Sequence, residues 1–587
     1  MEQWFIKNKK ADFKAIAGQL HISEVMARLI VNRNITGPEE LKHYVEADIT
    51  GLHSPRLMKD MDKAAAILMD KIREKKRIRI IGDYDVDGVM SVCILSTALN
   101  RLGALADYEI PDRVRDGYGI NMDIVKAAGK DGIDTLLTCD NGIAAMEQVR
   151  YAKECGMTVI ITDHHDLAYE DEGGERVYRV PEADAVVNPK QEDCSYPCKQ
   201  ICGAAVAFKL VQLLYEAVSP GGGEADELLE YAAIATICDV MDLVDENRIL
   251  VKHGLAAVRN TSHIGLRALL KATGLEGKEL RTDHIGFILG PCINASGRLE
   301  SAKLGLEMLL ASDAGEAEQA ALRLTELNNE RKSMTSRGLE EAVGIIEETA
   351  IHQDKVLVVY LPDCHESLAG IIAGRIRERY DKPAIVLTKG EREIKGSGRS
   401  IEAYPMFDRL NECRDLLIRF GGHPMAAGLS LLEENIDLLR LKLNERPGLS
   451  DQDLFKKVTF DMVLPFDMAT EELIGEFSML EPFGKGNPKP LFALKHVILV
   501  RGSVLGSGKN VIRLSMKAGQ DNRIYQGILF QKAEIFERFL TEKYGSRAVE
   551  DLYTGKACDL SVDIIFCPEI NEYKQYKNVQ MVIEHYR

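Results

Sequence analysis

The sequence predicts an α/β protein of several domains. A mostly parallel sheet occupies its first half. A long connecting helix, a second and smaller α/β domain, and a C-terminal β-barrel follow. Three observations carry this. From about residue 76 to 190, short apolar strand candidates alternate with helical periodicities, the pattern of a parallel sheet covered on both faces. Glu316–Glu348 is one long polar helical pattern with little Gly or Pro. After about residue 450, short strand-like runs separated by glycine-rich turns suggest a small barrel.

In chain order, residues 1–50 read as a helical lead-in. Leu20–Ile30 carries apolar residues at amphipathic spacing, and Pro38-Glu39-Glu40-Leu41 reads as a helix start. Residues 51–313 form the expected parallel-sheet domain, with strands at Arg77–Ile81, Asp107–Ile110, Thr135–Cys139, Met157–Thr162 and Ala185–Asn188. Helices are expected at Val89–Leu102, Ala144–Cys155 and Glu227–Asp239. The connecting helix takes 314–350. The smaller domain, 351–450, has strands at Lys355–Tyr360 and Ala384–Thr388 around a helix at Leu368–Tyr380. The barrel, 451–587, has strands at Leu494–Val500, Val511–Met516, Ile524–Phe530, Cys558–Phe566 and Val579–Ile583.

At 587 residues the chain is long enough for several cores. No run of about 18 uncharged apolar residues suggests a membrane span. The amino terminus lacks the basic-then-apolar layout of a signal peptide, so a cytoplasmic location is expected. Twelve scattered cysteines suit reduced thiols. A net charge of −17 argues against a passive nucleic-acid coat but leaves room for an enzyme with one basic channel. The near-neutral barrel could carry a positive face.

Ligands of such sheets bind at the carboxyl ends of the strands. Three strands here end in polar clusters: Asp83-Tyr84-Asp85-Val86-Asp87, Asp140-Asn141-Gly142, and Asp163-His164-His165. An acidic turn alone is ordinarily just solvated; three clusters on one edge are more specific. Asp239, ending an apolar helix, is a further candidate, although a polar helix terminus is the plainer reading. Like charges about 4 Å apart near a surface repel by about 4 kcal/mol, so a multivalent cation explains the cluster. Asp83, Asp85, Asp87, Asp140, His164, His165 and Asp239 are carboxylates with a minority of imidazoles, a set that suits Mn²⁺ or Mg²⁺, with two ions expected. Asp85 and Asp87, nearest the helix start, read as direct ligands; Asp83 reads as a ligand or as a residue orienting one. The dominant use of such a site is phosphoester or phosphoanhydride hydrolysis. Cys194, Cys198 and Cys202 lack the paired spacing of a zinc site.

Four segments could hold phosphate. They are Pro111–Gly119 with Arg113, Asn294–Arg298, Gly396-Ser397-Gly398-Arg399-Ser400, and Gly421-Gly422-His423 on a flexible loop. Singly each is more often a plain turn; together they favour a phosphate-lined cleft.

The acidic turn, Cys139–Gly142, Asp163–His165 and Cys238-Asp239-Val240 resemble the four successive motifs of the DHH phosphoesterases. Gly421-Gly422-His423 resembles the signature of the associated DHHA1 domain. Gly290–Arg298 and Glu481–Pro488 resemble segments of that family's single-strand-specific 5′→3′ DNA exonucleases, the second at the start of an OB-fold. The resemblance covers about residues 50–587. It implies Asp85, Asp87, Asp140, His164, His165 and Asp239 as catalytic, with two Mn²⁺ or Mg²⁺ ions. It implies DNA contacts from Arg113, Asn294, Arg298, Ser397, Arg399 and His423, with Ser397 and Arg399 on the 5′ phosphate. It further implies a role in DNA repair and recombination. The implied partners are single-stranded DNA, a single-strand-binding protein and a helicase, without a membrane. The sequence departs from the family pattern at Ser296, where Ala is usual, and at Asp363–Leu368, which leaves the role of His365 open. It is expected to lack any further partner-binding domain. Two other readings stay open: a phosphodiesterase of short oligonucleotides or cyclic dinucleotides, and a non-catalytic DNA-binding replication factor.

Overall fold

The structure, a computed structural model, describes residues 2–587 apart from 173–174, 220–222, 224, 507–509, 520–522, 531–532, 557–559 and 574–575. It divides into two units, Ile49–Leu454 and a second made of Met1–Asp48 with Phe455–Arg587.

The first unit begins with five parallel strands. Their spatial order is Leu105–Glu109, Arg77–Ile81, Thr135–Cys139, Thr158–Thr162, Ala185–Val187. Runs such as Thr135–Cys139 are buried along their whole length, which is why they read as continuous apolar segments. From Arg77–Ile81 the chain crosses to one side of the sheet, and from Thr135–Cys139 to the other. The switch point therefore lies between the strands that lead to Asp83 and Asp140. The register aligns Ile81 with Thr138, Cys139 with Thr162, and Thr162 with Val187, so the polar clusters stand side by side on one edge. Helices Val86–Arg101, Gly203–Val218 and Leu229–Cys238 pack together in one large core with the sheet. An antiparallel pair, Ala168–Glu172 with Glu175–Arg179, interrupts the pattern.

The helix Ala314–Glu348 starts on an N-cap, Asp313, which accepts from the Glu316 amide at 2.9 Å. Its N-terminal half buries Ala317, Ala321 and Leu324 in the first core, and its C-terminal half buries Ala342 and Ile346 in the next. Gly338 lets the helix Glu366–Tyr380 approach: a Cβ there would lie 2.6 Å from Ile372 Cδ1. The smaller sheet runs Leu417–His423, Ala426–Leu431, Ile394–Arg399, Ala384–Lys389, Leu357–Tyr360. Only its last pair is parallel. Of the four segments expected to hold phosphate, Pro111–Gly119 is a turn and the other three are regular structure. Ser397 and Arg399 sit on a strand, Gly421-Gly422-His423 ends another, and Asn294 and Arg298 lie on the helix Gly290–Leu299.

In the second unit, Phe492–Leu505 pairs with both Val511–Lys517 and Leu560–Tyr573 and closes a five-stranded barrel, with the short strand Met462–Val463 paired alongside it. Glu2–Ile6 pairs in parallel with Lys456–Phe460. Met26, Leu29 and Ile30 are buried in one core with Phe492 and Phe566. The lead-in thus contributes to the barrel unit. Cys558, placed by sequence at the start of a strand, lies outside the described residues; the observed strand is Leu560–Tyr573. Among the described residues no helix is long and apolar enough to cross a membrane.

Candidate active site

The acidic turn is a tight link from strand to helix. Asp85 is the N-cap of Val86–Arg101, its Oδ1 accepting from the amides of Asp87 (3.0 Å) and Gly88 (3.2 Å). A Cβ on Gly88 would fall 2.4 Å from the Asp83 carbonyl oxygen, so only glycine lets the first turn close there. Asp87 is buried. Its two oxygens accept from Gly203 N (2.6 Å) and Ala204 N (2.7 Å) at the start of the helix Gly203–Val218. That helix end favours negative charge.

Asp140 follows its strand with a left-handed φ of 61°, an uncommon conformation outside glycine. Gly203 packs against it; a Cβ would sit 2.6 Å from Asp140 Cβ. Buried Asn141 ties adjacent strand ends by donating to Ile81 O (3.0 Å) and Cys139 O (2.9 Å). Asp163 accepts from the amides of His164 (2.7 Å), His165 (3.1 Å) and Ile143 (2.9 Å), and lies 2.8 Å from His165 Nδ1. Burial raises its pKa, but the His165 bond and charge outweigh this and hold it at about 2. Reciprocally, burial works against protonated His165, yet Asp163 lifts its pKa to about 9. Tyr118 donates its hydroxyl to Asp140 O at 2.7 Å and lies 3.0 Å from His165 Nδ1.

His164 Nε2 lies 3.0 Å from Asp140 Oδ1, 3.5 Å from Asp87 Oδ2 and 3.7 Å from Asp239 Oδ2. Burial lowers its pKa. Asp239 is the C-cap of Leu229–Cys238, as its sequence position suggested. Three groups of ligand atoms lie within 4.8 Å of one another: Asp140–His164–His165, Asp87–His164–Asp239, and Asp83–Asp85–Asp140. All seven residues expected as ligands are among them.

The electrostatics fit cations. Burial, then neighbouring carboxylates, pushes Asp83 and Asp239 up to about 8 and Asp140 well above the usual range. Asp83 Oδ1, Asp140 Oδ1, His164 Nε2 and Asp239 Oδ2 are buried without a hydrogen-bond partner. Orphaned acceptors at one sheet edge carry a large desolvation cost unless something positive meets them. Oxygen donors with a few imidazoles suit Mn²⁺ or Mg²⁺.

The other wall is cationic. A cavity of about 510 Å³ is lined by Arg113, Arg298, Ser397 and Arg399, together with Lys395 and Arg419. Arg113 stacks over the Tyr84 ring at 3.8 Å, and its Nε is buried and unpartnered. Arg298 donates to Ser367 O at 2.6 Å; burial, then Arg113 and Arg331, lowers its pKa to about 10. Arg399 donates to Ser397 Oγ (3.0 Å) and Gly398 O (2.8 Å). Guanidiniums gathered this way repel unless an anion joins them. Asn294 and His423 do not line this cavity. Asn294 Oδ1 is buried and unpartnered on its helix. His423 is exposed and acts electrostatically on Asp166, which also feels His165. His365 caps the helix Glu366–Tyr380: Ser367 N and Oγ lie 3.3 and 2.7 Å from its Nδ1.

Sequence reasoning passed over Tyr118, Asp163 as orienter of His165, Gly203 and Gly370. Asp163 and Tyr118 lay inside quoted motifs; the glycines act through a close approach that no local pattern records. Cys194, Cys198 and Cys202 are buried thiols. Lys59 N donates to Cys194 Sγ (3.4 Å), and Cys202 Sγ lies 3.4 Å from Thr236 Oγ1.

A carboxylate–imidazole edge facing guanidiniums is equipped to hydrolyse a phosphoester, and the fold places it in a known class. Residues 77–236 match the DHH family, N-terminal domain, 353–446 the DHHA1 domain, and 460–585 the RecJ OB domain. The class is therefore the DHH/DHHA1 phosphoesterases. The chain is 35% identical over 587 residues to the single-stranded-DNA-specific exonuclease RecJ of Bacillus subtilis, covering 99% of this chain and 70% of that one. It is 31% identical over 582 residues to the Escherichia coli RecJ exonuclease, covering 96% and 95%. The crystal structure of RecJ in complex with Mn²⁺ from Thermus thermophilus matches with a TM-score of 0.82 at 27% identity, over 100% of this chain and 79% of that one. A Mg²⁺ complex of the same Thermus protein matches at 0.76 and 26%. This chain belongs to the RecJ family.

Proposed function

We infer that the protein is a metal-dependent exonuclease that hydrolyses phosphodiester bonds of single-stranded DNA from the 5′ end, in DNA repair and recombination. The observation that carries this is the facing of two walls. One is a seven-residue cluster with buried, unpartnered atoms; the other is a cavity in which Arg113, Arg298 and Arg399 have no carboxylate hydrogen-bond partner among the described residues. The RecJ relatives supply the substrate class.

In this reading Asp83, Asp85, Asp87, Asp140, His164, His165 and Asp239 hold two Mn²⁺ or Mg²⁺ ions. When bound, the ions supply positive charge that polarises the scissile phosphoryl group and acidifies water. The chain's own residues set the geometry. The Gly203 and Ala204 amides fix Asp87, Asp163 fixes His165, and Tyr118 ties His165 to the Asp140 backbone. Ser397 and Arg399 grip the 5′ phosphate, with Arg113 and Arg298 on the following backbone, so cleavage falls a set distance from the end. Asn294 and His423 flank that path. Residues 51–313 do the chemistry, 314–350 connect, 351–450 hold the end, and 451–587 guide the strand by stacking and backbone contacts.

A helicase and a single-strand-binding protein are the partners that would supply an opened strand, in the cytoplasm. The barrel weighs against a phosphodiesterase restricted to dinucleotides. The test is digestion of 5′-labelled and 3′-labelled single strands and of blunt duplex, with and without Mn²⁺. Metal-dependent release from the 5′ end of single strands is expected. Equal attack on blunt duplex, or release from the 3′ end, refutes the reading.

A further inference from the structure

The cavity is larger than the end it is proposed to hold, and its charge continues past that end. On the strand Ile394–Arg399, Lys395, Ser397 and Arg399 all face the cavity at every second position, roughly 7 Å apart. The register gives this row a direction. Arg399 and His423 both pair with Ala426, and His423 is the member that acts on Asp166 beside the catalytic histidines. Lys395 and Arg419 both pair with Ser430, at the opposite end of the same strands. Moving away from the metal-ligand edge, the order is Arg399, Ser397, then Lys395 with Arg419.

The distal pair is under-neutralised. Lys395 Nζ and Arg419 Nη2 each lie 2.7 Å from the same Glu393 oxygen. Two cations share one carboxylate. Arg115, also at the rim, is matched by its own Asp116 at 2.9 Å. A volume of about 510 Å³ would hold roughly 17 waters at about 30 Å³ each, several times what one phosphate displaces.

We propose that the pocket beyond Ser397 is a polyphosphate subsite in which Lys395 and Arg419 bind the outer phosphoryl groups of a 5′-triphosphate. The ligand is either a triphosphorylated strand end or a free nucleoside 5′-triphosphate. The proposal rests on the reading that Ser397 and Arg399 hold the first phosphate.

The test is anisotropy of 3′-labelled single strands on the full chain in EDTA, which prevents turnover. The strands carry a 5′ hydroxyl, monophosphate or triphosphate. The triphosphate is expected to bind at least about tenfold tighter than the monophosphate, and the monophosphate tighter than the hydroxyl. Arg419→Gln and Lys395→Gln should each erase most of the triphosphate gain and leave monophosphate binding within about twofold. Glu393→Gln should enlarge the gain, a direction that misfolding would not produce. Free ATP that displaces the monophosphate strand from the unmodified protein, but not from Arg419→Gln, identifies the nucleotide as a ligand. A triphosphate gain without such displacement identifies the strand end. Equal binding of triphosphate and monophosphate, or a gain that survives both substitutions, overturns the proposal. Equal binding of monophosphate and hydroxyl overturns the underlying reading instead.

Discussion

Replacing Gly370 by alanine tests the proposed 5′-end grip without touching a charge. Gly370 lies on the helix Glu366–Tyr380, directly over Arg399 and Ser397. A Cβ there would sit 2.6 Å from Arg399 Nη2, 2.8 Å from Ser397 Oγ and 3.2 Å from Arg399 Cζ. The guanidinium must retreat by several tenths of an ångström, which breaks its alignment with Ser397 Oγ, now 3.0 Å from Nη1. The helix itself gains about 1 kcal/mol from Gly→Ala, so the fold has no reason to weaken. A charge-assisted hydrogen bond contributes roughly 1.5–3 kcal/mol, so losing one should lower kcat/KM on 5′-phosphorylated strands about 10- to 150-fold. The assay compares 5′-phosphate and 5′-hydroxyl strands and records Tm. The loss should fall on the phosphorylated strand alone, with Tm unchanged or raised. Gly374, one turn on, is the control: its Cβ would come no nearer Arg399 than 4.0 Å, so Gly374→Ala should be silent. If Gly370→Ala lowers both strands equally, or neither, the assignment of Ser397 and Arg399 to the 5′ end is refuted.

Asp140→Asn should cut turnover by about a thousandfold, the equivalent of about 4 kcal/mol of lost charge stabilisation. Because burial and then Asp87 hold the Asp140 carboxyl well above its usual range, the same change should raise the Tm of the EDTA-treated protein at pH 8. Glu230 is buried against Thr261 Oγ1 at 2.7 Å, and burial lifts its pKa to about 7. Its folded value exceeds the unfolded one, so its contribution is full below about pH 4.5 and is lost as pH rises through 7. Glu230→Gln should match the parent at pH 4 and be more stable at pH 8.5 by up to roughly 3 kcal/mol in denaturant titrations. Lys209 and Glu246 form a fully buried ion pair at 2.9 Å. Lys209→Met should cost about 3–5 kcal/mol by leaving Glu246 unpaired, and Glu246→Gln in the same chain should recover part of it.

The parallel sheet was legible because most of its strands are largely buried, Thr135–Cys139 along its whole length. Arg77–Ile81 and Thr135–Cys139 appear at the positions their apolar runs indicate. The clustering of the seven carboxylates and imidazoles was legible because each member follows a strand or ends a helix. Other features depend on partners far away in sequence. The glycine-rich stretch around Ser397 reads as a loop, yet Gly396 and Gly398 are strand positions where a Cβ would come within 2.5 Å of Leu387 Cδ2 and 3.2 Å of Met406. The antiparallel pair Ala168–Glu172 with Glu175–Arg179 is rich in Glu, Asp and Arg and lacks the continuous apolar run of the parallel strands. The strand Glu2–Ile6 finds its partner near residue 456, which no local window can reveal.

That last pairing has a consequence for synthesis. The helices holding Met26, Leu29 and Ile30 leave the ribosome early, but the barrel residues that cover them follow after roughly 400 others. At about 5–20 residues per second, an apolar face waits roughly 20–80 s for its cover. The unit Ile49–Leu454 can close in the meantime, so a stalled or truncated product would carry the whole carboxylate–imidazole cluster together with a sticky, uncovered amino-terminal segment. Such a segment is what chaperones and proteases recognise, and clearance of incomplete chains would be tied to the absence of the barrel.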